Sequence, residues 1–140
     1  MATTQAQILD AIEAMLSAGL TAASVTFARN DTSVPDLDTP DRVTMFDGEP
    51  GQPIEQLLGS RLKTYRHEIP LDIFPVQAPM PEARAHAIRA QILALIDADR
   101  TLGGLVDDLD LSELAGGLAP VSEARALKFG SATLIAEYTL

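Results

Sequence analysis

Residues 65–74 read Tyr-Arg-His-Glu-Ile-Pro-Leu-Asp-Ile-Phe, or YRHEIPLDIF. Tyr65, His67, Ile69, Leu71 and Ile73 fall on one side of an extended chain, and Arg66, Glu68 and Asp72 on the other. Side chains alternate across a strand with a period of two, so the pattern predicts a long half-buried strand. Pro70 and Pro75 cannot donate to a ladder, which points to an edge position or a bulge. A strand with one apolar face requires other elements to cover it, and the flanking sequence supplies them.

Towards the N-terminus, residues 49–60 (EPGQPIEQLLGS) read as a loop with a turn of helix around 54–58. Asp47-Gly48 is turn chemistry closing a second strand over 42–46. Residues 29–41 (RNDTSVPDLDTPD) carry two prolines and four aspartates without a sustained period, which predicts an exposed loop. A short strand over 25–28 precedes it. Ile8, Leu9, Ile12, Met15 and Leu16 form one stripe of a 3.6-residue period, so the chain begins with an amphipathic helix. Thr3 or Thr4 caps its start, and Gly19 stands where a glycine would end it.

Towards the C-terminus, Pro81 and Glu82 open a second helix whose core stripe is Ile88, Ile92, Leu95 and Ile96. The pair Gly103-Gly104 then turns the chain into a strand over 106–111. A loop with Gly116, Gly117 and Pro120 follows, and a long strand over 126–140 closes the order. In that strand the apolar phase passes from Leu127 and Phe129 to Ala132, Leu134, Ala136, Tyr138 and Leu140. A one-residue slip at Gly130-Ser131 predicts a β-bulge there. Only one segment is able to supply a βαβ crossover. The expected fold is therefore α+β: a mostly antiparallel sheet, two main helices on one face, and long exposed loops.

The 140 residues suit one domain over 1–140, with roughly two thirds of the unfolded surface buried. The absence of cysteine excludes disulfides and thiolate chemistry. A net charge of −10 and a pI near 4.4 disfavour nucleic acid and anionic membranes as partners. The N-terminal sequence lacks a basic segment before an unbroken apolar core, and no apolar run approaches the roughly 20 residues of a membrane span. The expectation is a soluble protein made in the cytoplasm.

Residues 99–110, DRTLGGLVDDLD, invite a metal or phosphate reading. A calcium loop starting at Asp108 would place Asp110 and Ser112 at positions 3 and 5. It would put Glu113 where glycine is required and Ala119 where a bidentate glutamate is required. No phosphate-loop or dinucleotide fingerprint occurs, and the following carboxylates would repel an anion. The aspartates of 29–41 read the same way, as a solvated surface. His67 lies on the apolar phase of its strand, suiting a satisfied buried histidine over a ligand or base, and His86 lies opposite Ile88 and Ile92. Neither has a serine in a nucleophile-elbow context. These readings predict no catalytic residues, no cofactor and no metal.

The ordered set of segments resembles the tail terminator (minor tail protein U type) family of long-tailed bacteriophages and gene transfer agents. The residues that carry the resemblance are PDLDTPDRVTMFDG, YRHEIPLDIF, IRAQILALIDADRTLGGLVDDL with its TLGGLVD turn, and SATLIAEYTL with Glu137-Tyr138. Pro70 and Pro75 depart from the family pattern. The resemblance implies a non-enzymatic virion protein that assembles as a ring, typically hexameric, on the last ring of the tail tube. It would stop tail polymerisation and present a surface to a head-completion or connector protein, with DNA only a passenger through the lumen. It would assemble in the host cytoplasm and end at the tail–neck junction. The alternatives are another neck or tail-completion protein, or a small cytoplasmic enzyme such as an acyl transferase using a carboxylate or His67 as base. Loop length and composition select Asp31, Pro35, Asp36, Asp38 and Asp41 in the first loop as interface candidates, and Glu49, Gln52 and Glu55 in the second.

Overall fold

Two long antiparallel strands, paired from Thr64 opposite Thr139 to Ile73 opposite Gly130, form the spine of the molecule. The computed structural model describes residues 4–33, 40–56, 58–59, 61–75, 81–122 and 125–140. Among these the order is α1 (Gln5–Ala22), β1 (Thr26–Arg29), β2 (Arg42–Met45), β3 (Glu55–Gln56), β4 (Lys63–Phe74), α2 (Pro81–Ala98), a short 3-10 turn (Leu102–Gly104), β5 (Asp108–Leu111), β6 (Ala115–Ser122) and β7 (Arg125–Thr139). The seven strands make one sheet, β1-β2-β4-β7-β5, with β3 on β4 and β6 on β7. All pairs are antiparallel except β1 with β2. The class is α+β.

The period-two pattern of residues 65–74 is realised in β4. His67, Ile69, Leu71 and Ile73 are buried, opposite Ala136, Leu134, Ala132 and Gly130 of β7. Both helices close over this face. Helix α1 contributes Ile8, Leu9, Ile12, Leu16 and Leu20, and α2 contributes Ala85, Ile88, Ile92 and Ile96. Isolated helices of this length are marginal in water, whereas each buried aliphatic side chain contributes about 1.5–3 kcal/mol. The apolar stripes, more than intrinsic helicity, therefore hold α1 and α2 in place.

Thr4 caps α1 through a reciprocal box with Gln7. Gly19 does not end the helix, which runs on to Ala22. A Cβ at Gly19 would lie 2.4 Å from the Leu95 side chain, so the small residue serves the approach of α2.

The placement of Pro70 corrects the expected edge strand, because β4 lies inside the sheet between β2 and β7. The Pro70 carbonyl accepts the Phe46 amide at 3.0 Å, one residue past the end of β2. The missing proline donor thus falls where the β2 ladder stops, and its cost is small.

Residues 54–58 are not helical in their described part. Glu55 and Gln56 pair with Thr64 and Lys63, because β4 outruns β2 and its free backbone groups recruit the returning chain. The expected loop around Gly116, Gly117 and Pro120 is strand β6, which forms a hairpin with β7.

No bulge interrupts β7 at Gly130-Ser131, where the β4 register is continuous. The extra residue sits in the partner. Between Leu111 opposite Leu134 and Ala115 opposite Ser131, the edge chain uses three residues against two. There Ser112 Oγ accepts the Thr133 amide at 2.8 Å, replacing the backbone acceptor that the bulge displaces.

Candidate interface loops

The two loops chosen from sequence have different fates. Of the first, residues 34–39 lie outside the described residues, and with them Pro35, Asp36 and Asp38. Asp31 accepts the Ser33 amide at 2.9 Å and the Ser33 hydroxyl at 2.7 Å, a local turn that holds its carboxyl below the usual range. Asp41 is buried. Its carboxylate takes the Arg84 Nε of α2 at 2.8 Å, and its carbonyl takes the Thr26 amide at 2.8 Å. These bonds start the parallel β1–β2 pair and tie it to α2, which is a structural duty. Arg42 bonds to the Ser33 carbonyl and lies over the Phe74 ring, 5.2 Å from its centre.

The second loop leaves β2 and follows β4. Glu49 forms a bridge opposite Glu68, and the Ile54 amide donates to the Thr64 carbonyl at 2.8 Å. Gly48 makes the turn at φ +65°, and a Cβ there would lie 2.3 Å from the Glu68 carbonyl oxygen. Gln52 and Glu55 are exposed, Glu55 within β3. Their apolar neighbours stand out more. Ile54 and Leu62 are 57% and 47% exposed, and Leu58 is fully exposed. Together with Arg61 and Lys63 they make an apolar and cationic tip on the β3–β4 hairpin. Gly59, flanked by Glu55-Gln56 and Lys63-Thr64, was the hairpin signal available in the sequence.

Strand β7 also reaches the opposite end of the sheet, where Arg125 pairs with Ser122 of β6. Its 15 residues span about 50 Å at the antiparallel rise. The two hairpins therefore project from opposite ends of one central pair of strands.

Polar groups at the β1–β2 end form a tight ion cluster. Arg29 grips Asp47 with two bonds of 2.7 and 3.1 Å and reaches Asp10 of α1 at 2.9 Å. Hydrogen bonds from Arg29 hold the Asp47 carboxyl below its usual range, and the Asp47 bond, followed by that to Asp10, raises the guanidinium. His67 is only 1% exposed. Its Nε2 lies 2.7 Å from the Asp47 carbonyl and its Nδ1 2.9 Å from the Tyr138 hydroxyl. A carbonyl only accepts, so Nε2 carries a proton and both ring nitrogens are engaged inside the core.

The aspartates of residues 97–110 line the turn and β5. Gly103 at φ +67° turns the chain, its amide held by Asp99 Oδ1 at 3.0 Å, and Leu102 and Val106 anchor the turn in the core. Arg100 bonds Asp97 at 2.8 Å and Asp108 at 3.0 Å. Asp110 Oδ1 accepts the amide of Leu111 at 2.8 Å. Among the described residues no three metal-ligating side chains converge on an ion site, and no helix is long and apolar enough to cross a membrane.

No protein-family model matches the chain, and no curated protein sequence is significantly similar to it. Among solved structures, it is similar to the sheath/tube terminator of an extracellular contractile injection system (PVC) in its extended state, determined by cryo-EM. The identity is 16% and the TM-score 0.47 over 100% of this chain, which spans 58% of the length of that protein.

Proposed function

We propose that this chain is a structural protein that caps a phage or gene transfer agent tail tube, ends tail polymerisation and offers a surface for head joining. The observation that carries the reading is the β4–β7 spine, whose opposite ends present separate surfaces, with exposed Ile54, Leu58 and Leu62 on the β3–β4 hairpin as an apolar contact for assembly between subunits. A terminator must hold the tube on one side and a connector on the other, which calls for two separated contact regions on a folded core. The sequence resemblance supports the same role.

In this reading the subunits close head to tail into a ring, six being the family's usual number. Such closure needs two different, complementary patches on each subunit. The assembled ring would sit at the tail–neck junction after formation in the host cytoplasm. Its acidic character would keep passing DNA from adhering.

The enzyme alternative asked His67 to act as a base. Its burial, with both nitrogens engaged, supports a structural role instead.

The test is imaging of purified protein mixed with tubes of its own tail. Density at one tube end supports the reading. Binding to the isolated connector, with bare tube ends, would favour another neck protein. Indifference to both would overturn the proposal.

A further inference from the structure

At the end of the sheet that carries Leu140, the free edges are β3 on one side and β5 on the other, with β4 and β7 between them. These edges differ sharply in charge. Residues 97–113 along the turn and β5 contain six carboxylates and one arginine. Residues 54–63 of the β3–β4 hairpin contain one carboxylate and two cations, in a chain of net charge −10.

The cations at the hairpin have no carboxylate partner among the described residues. Arg29, Arg42, Arg66, Arg84, Arg89 and Arg100 each lie within ion-pair distance of a carboxylate of this chain. Arg61 and Lys63 make no such pair among the described residues, and they stand beside exposed Ile54, Leu58 and Leu62. On β5 the aspartates occupy the strand's own outward donors, as Asp110 does for Leu111. That arrangement blocks extension of the sheet by backbone pairing and leaves side chains to make the contact.

We infer that the β3–β4 hairpin tip of one subunit docks on the acidic β5 edge of a second copy. Arg61 and Lys63 face Asp107 and Asp110, and Leu58 rests beside the exposed glycines of the 103–104 turn. A second copy is the occupant because this chain carries both halves of the charge match on opposite edges of the same sheet end. Such a contact is heterologous and propagates from subunit to subunit. Apolar anchors supply the affinity, and the charges select the register and make it salt-dependent. This inference rests on the self-assembling reading and names the surfaces that execute it.

The experiment is sedimentation velocity of the full chain, alone and with its tail tubes, for wild type, Leu58→Asp, the double variant Arg61→Glu/Lys63→Glu, and that double variant carrying Asp107→Lys/Asp110→Lys. Circular dichroism and thermal melting confirm that each variant folds. The expected result is assembly weakened about tenfold or more by Leu58→Asp and by the double charge reversal, as for truncation of a central interface contact. Recovery is expected in the quadruple variant, and wild-type assembly is expected to weaken with added salt. Wild-type assembly that persists in both tip variants overturns this inference and leaves the capping role standing. A wild-type chain that stays monomeric even on tubes overturns the self-assembling reading itself. A tip required for capture by anionic vesicles but not for self-association also overturns the inference.

Discussion

The Tyr138 hydroxyl lies 2.9 Å from His67 Nδ1 across the β4–β7 pair, and both side chains are buried. Burial raises the Tyr138 hydroxyl above its ordinary range, so it remains a neutral partner at physiological pH. Tyr138→Phe would leave the buried His67 nitrogen without this bond. The expected loss is about 1–3 kcal/mol, the cost of an unsatisfied buried polar group. Urea denaturation measures it, and an unchanged midpoint would show that the bond does not stabilise the core.

The Arg29–Asp47 pair makes folding stability sensitive to acid. Asp47 is held below its usual range by the Arg29 hydrogen bonds, so the folded state binds this proton less readily than the unfolded chain. The contribution is full above the ordinary carboxylate range and disappears as pH falls through the lowered folded value. Asp47→Asn should therefore lower the melting temperature at pH 7 and flatten the acid limb of the stability profile. Parallel wild-type and variant profiles in acid would contradict the assignment.

Asp72 behaves in the opposite sense. Partial burial between β2 and β7 raises its carboxyl, with the charge of Arg42 opposing only in part. The folded state favours the protonated form, so the charge weakens folding once pH rises above the ordinary carboxylate range. Cross-strand Thr44 has a buried hydroxyl with no partner among the described residues. Asp72→Asn should raise the melting temperature at pH 7 and leave it nearly unchanged well below the carboxylate range. A lower melting temperature at pH 7 would contradict this account.

Gly48, in the turn that leads into the second loop, does not tolerate a side chain. Its positive φ strains other residues, and a Cβ would press on the Glu68 carbonyl, which is backbone and unable to yield. Gly48→Ala should cost about 1–3 kcal/mol, the usual range for a strained backbone site. It should also loosen the loop carrying Glu49 and Gln52, seen as faster amide exchange over 47–54. Unaltered exchange would mean that the turn does not govern the loop.

The core was legible wherever apolar residues kept one period against one covering face. Residues 65–74 announced β4, and Ile88, Ile92 and Ile96 announced α2, because burial repeats with the backbone geometry. The strands that failed to announce themselves are those with little apolar side-chain pattern. Strand β3 has only Glu55 and Gln56, and β6 begins Ala115-Gly116-Gly117; both exist because longer neighbours leave backbone groups to pair. Pro70 was misread for a related reason. Whether a missing donor matters depends on where the adjacent strand ends, which residues 65–74 do not encode. Of the interface candidates, Asp41 is indistinguishable by sequence from the other aspartates of residues 29–41, and only Arg84, opposite it across 43 positions of sequence, sets it apart. The exposed Leu58 and Leu62 carry no surface signal in the sequence, and only the β3–β4 hairpin places Leu58 at a tip.

The most direct measurement of the central claim is the length distribution of tail tubes grown from purified tube protein with increasing amounts of this chain. Capping predicts that growth stops early, with mean length falling as the chain is added and one chain assembly found at the terminated end. The Leu58→Asp variant should leave tubes long. Tubes of the same length at every ratio, with no protein at their ends, would contradict the account.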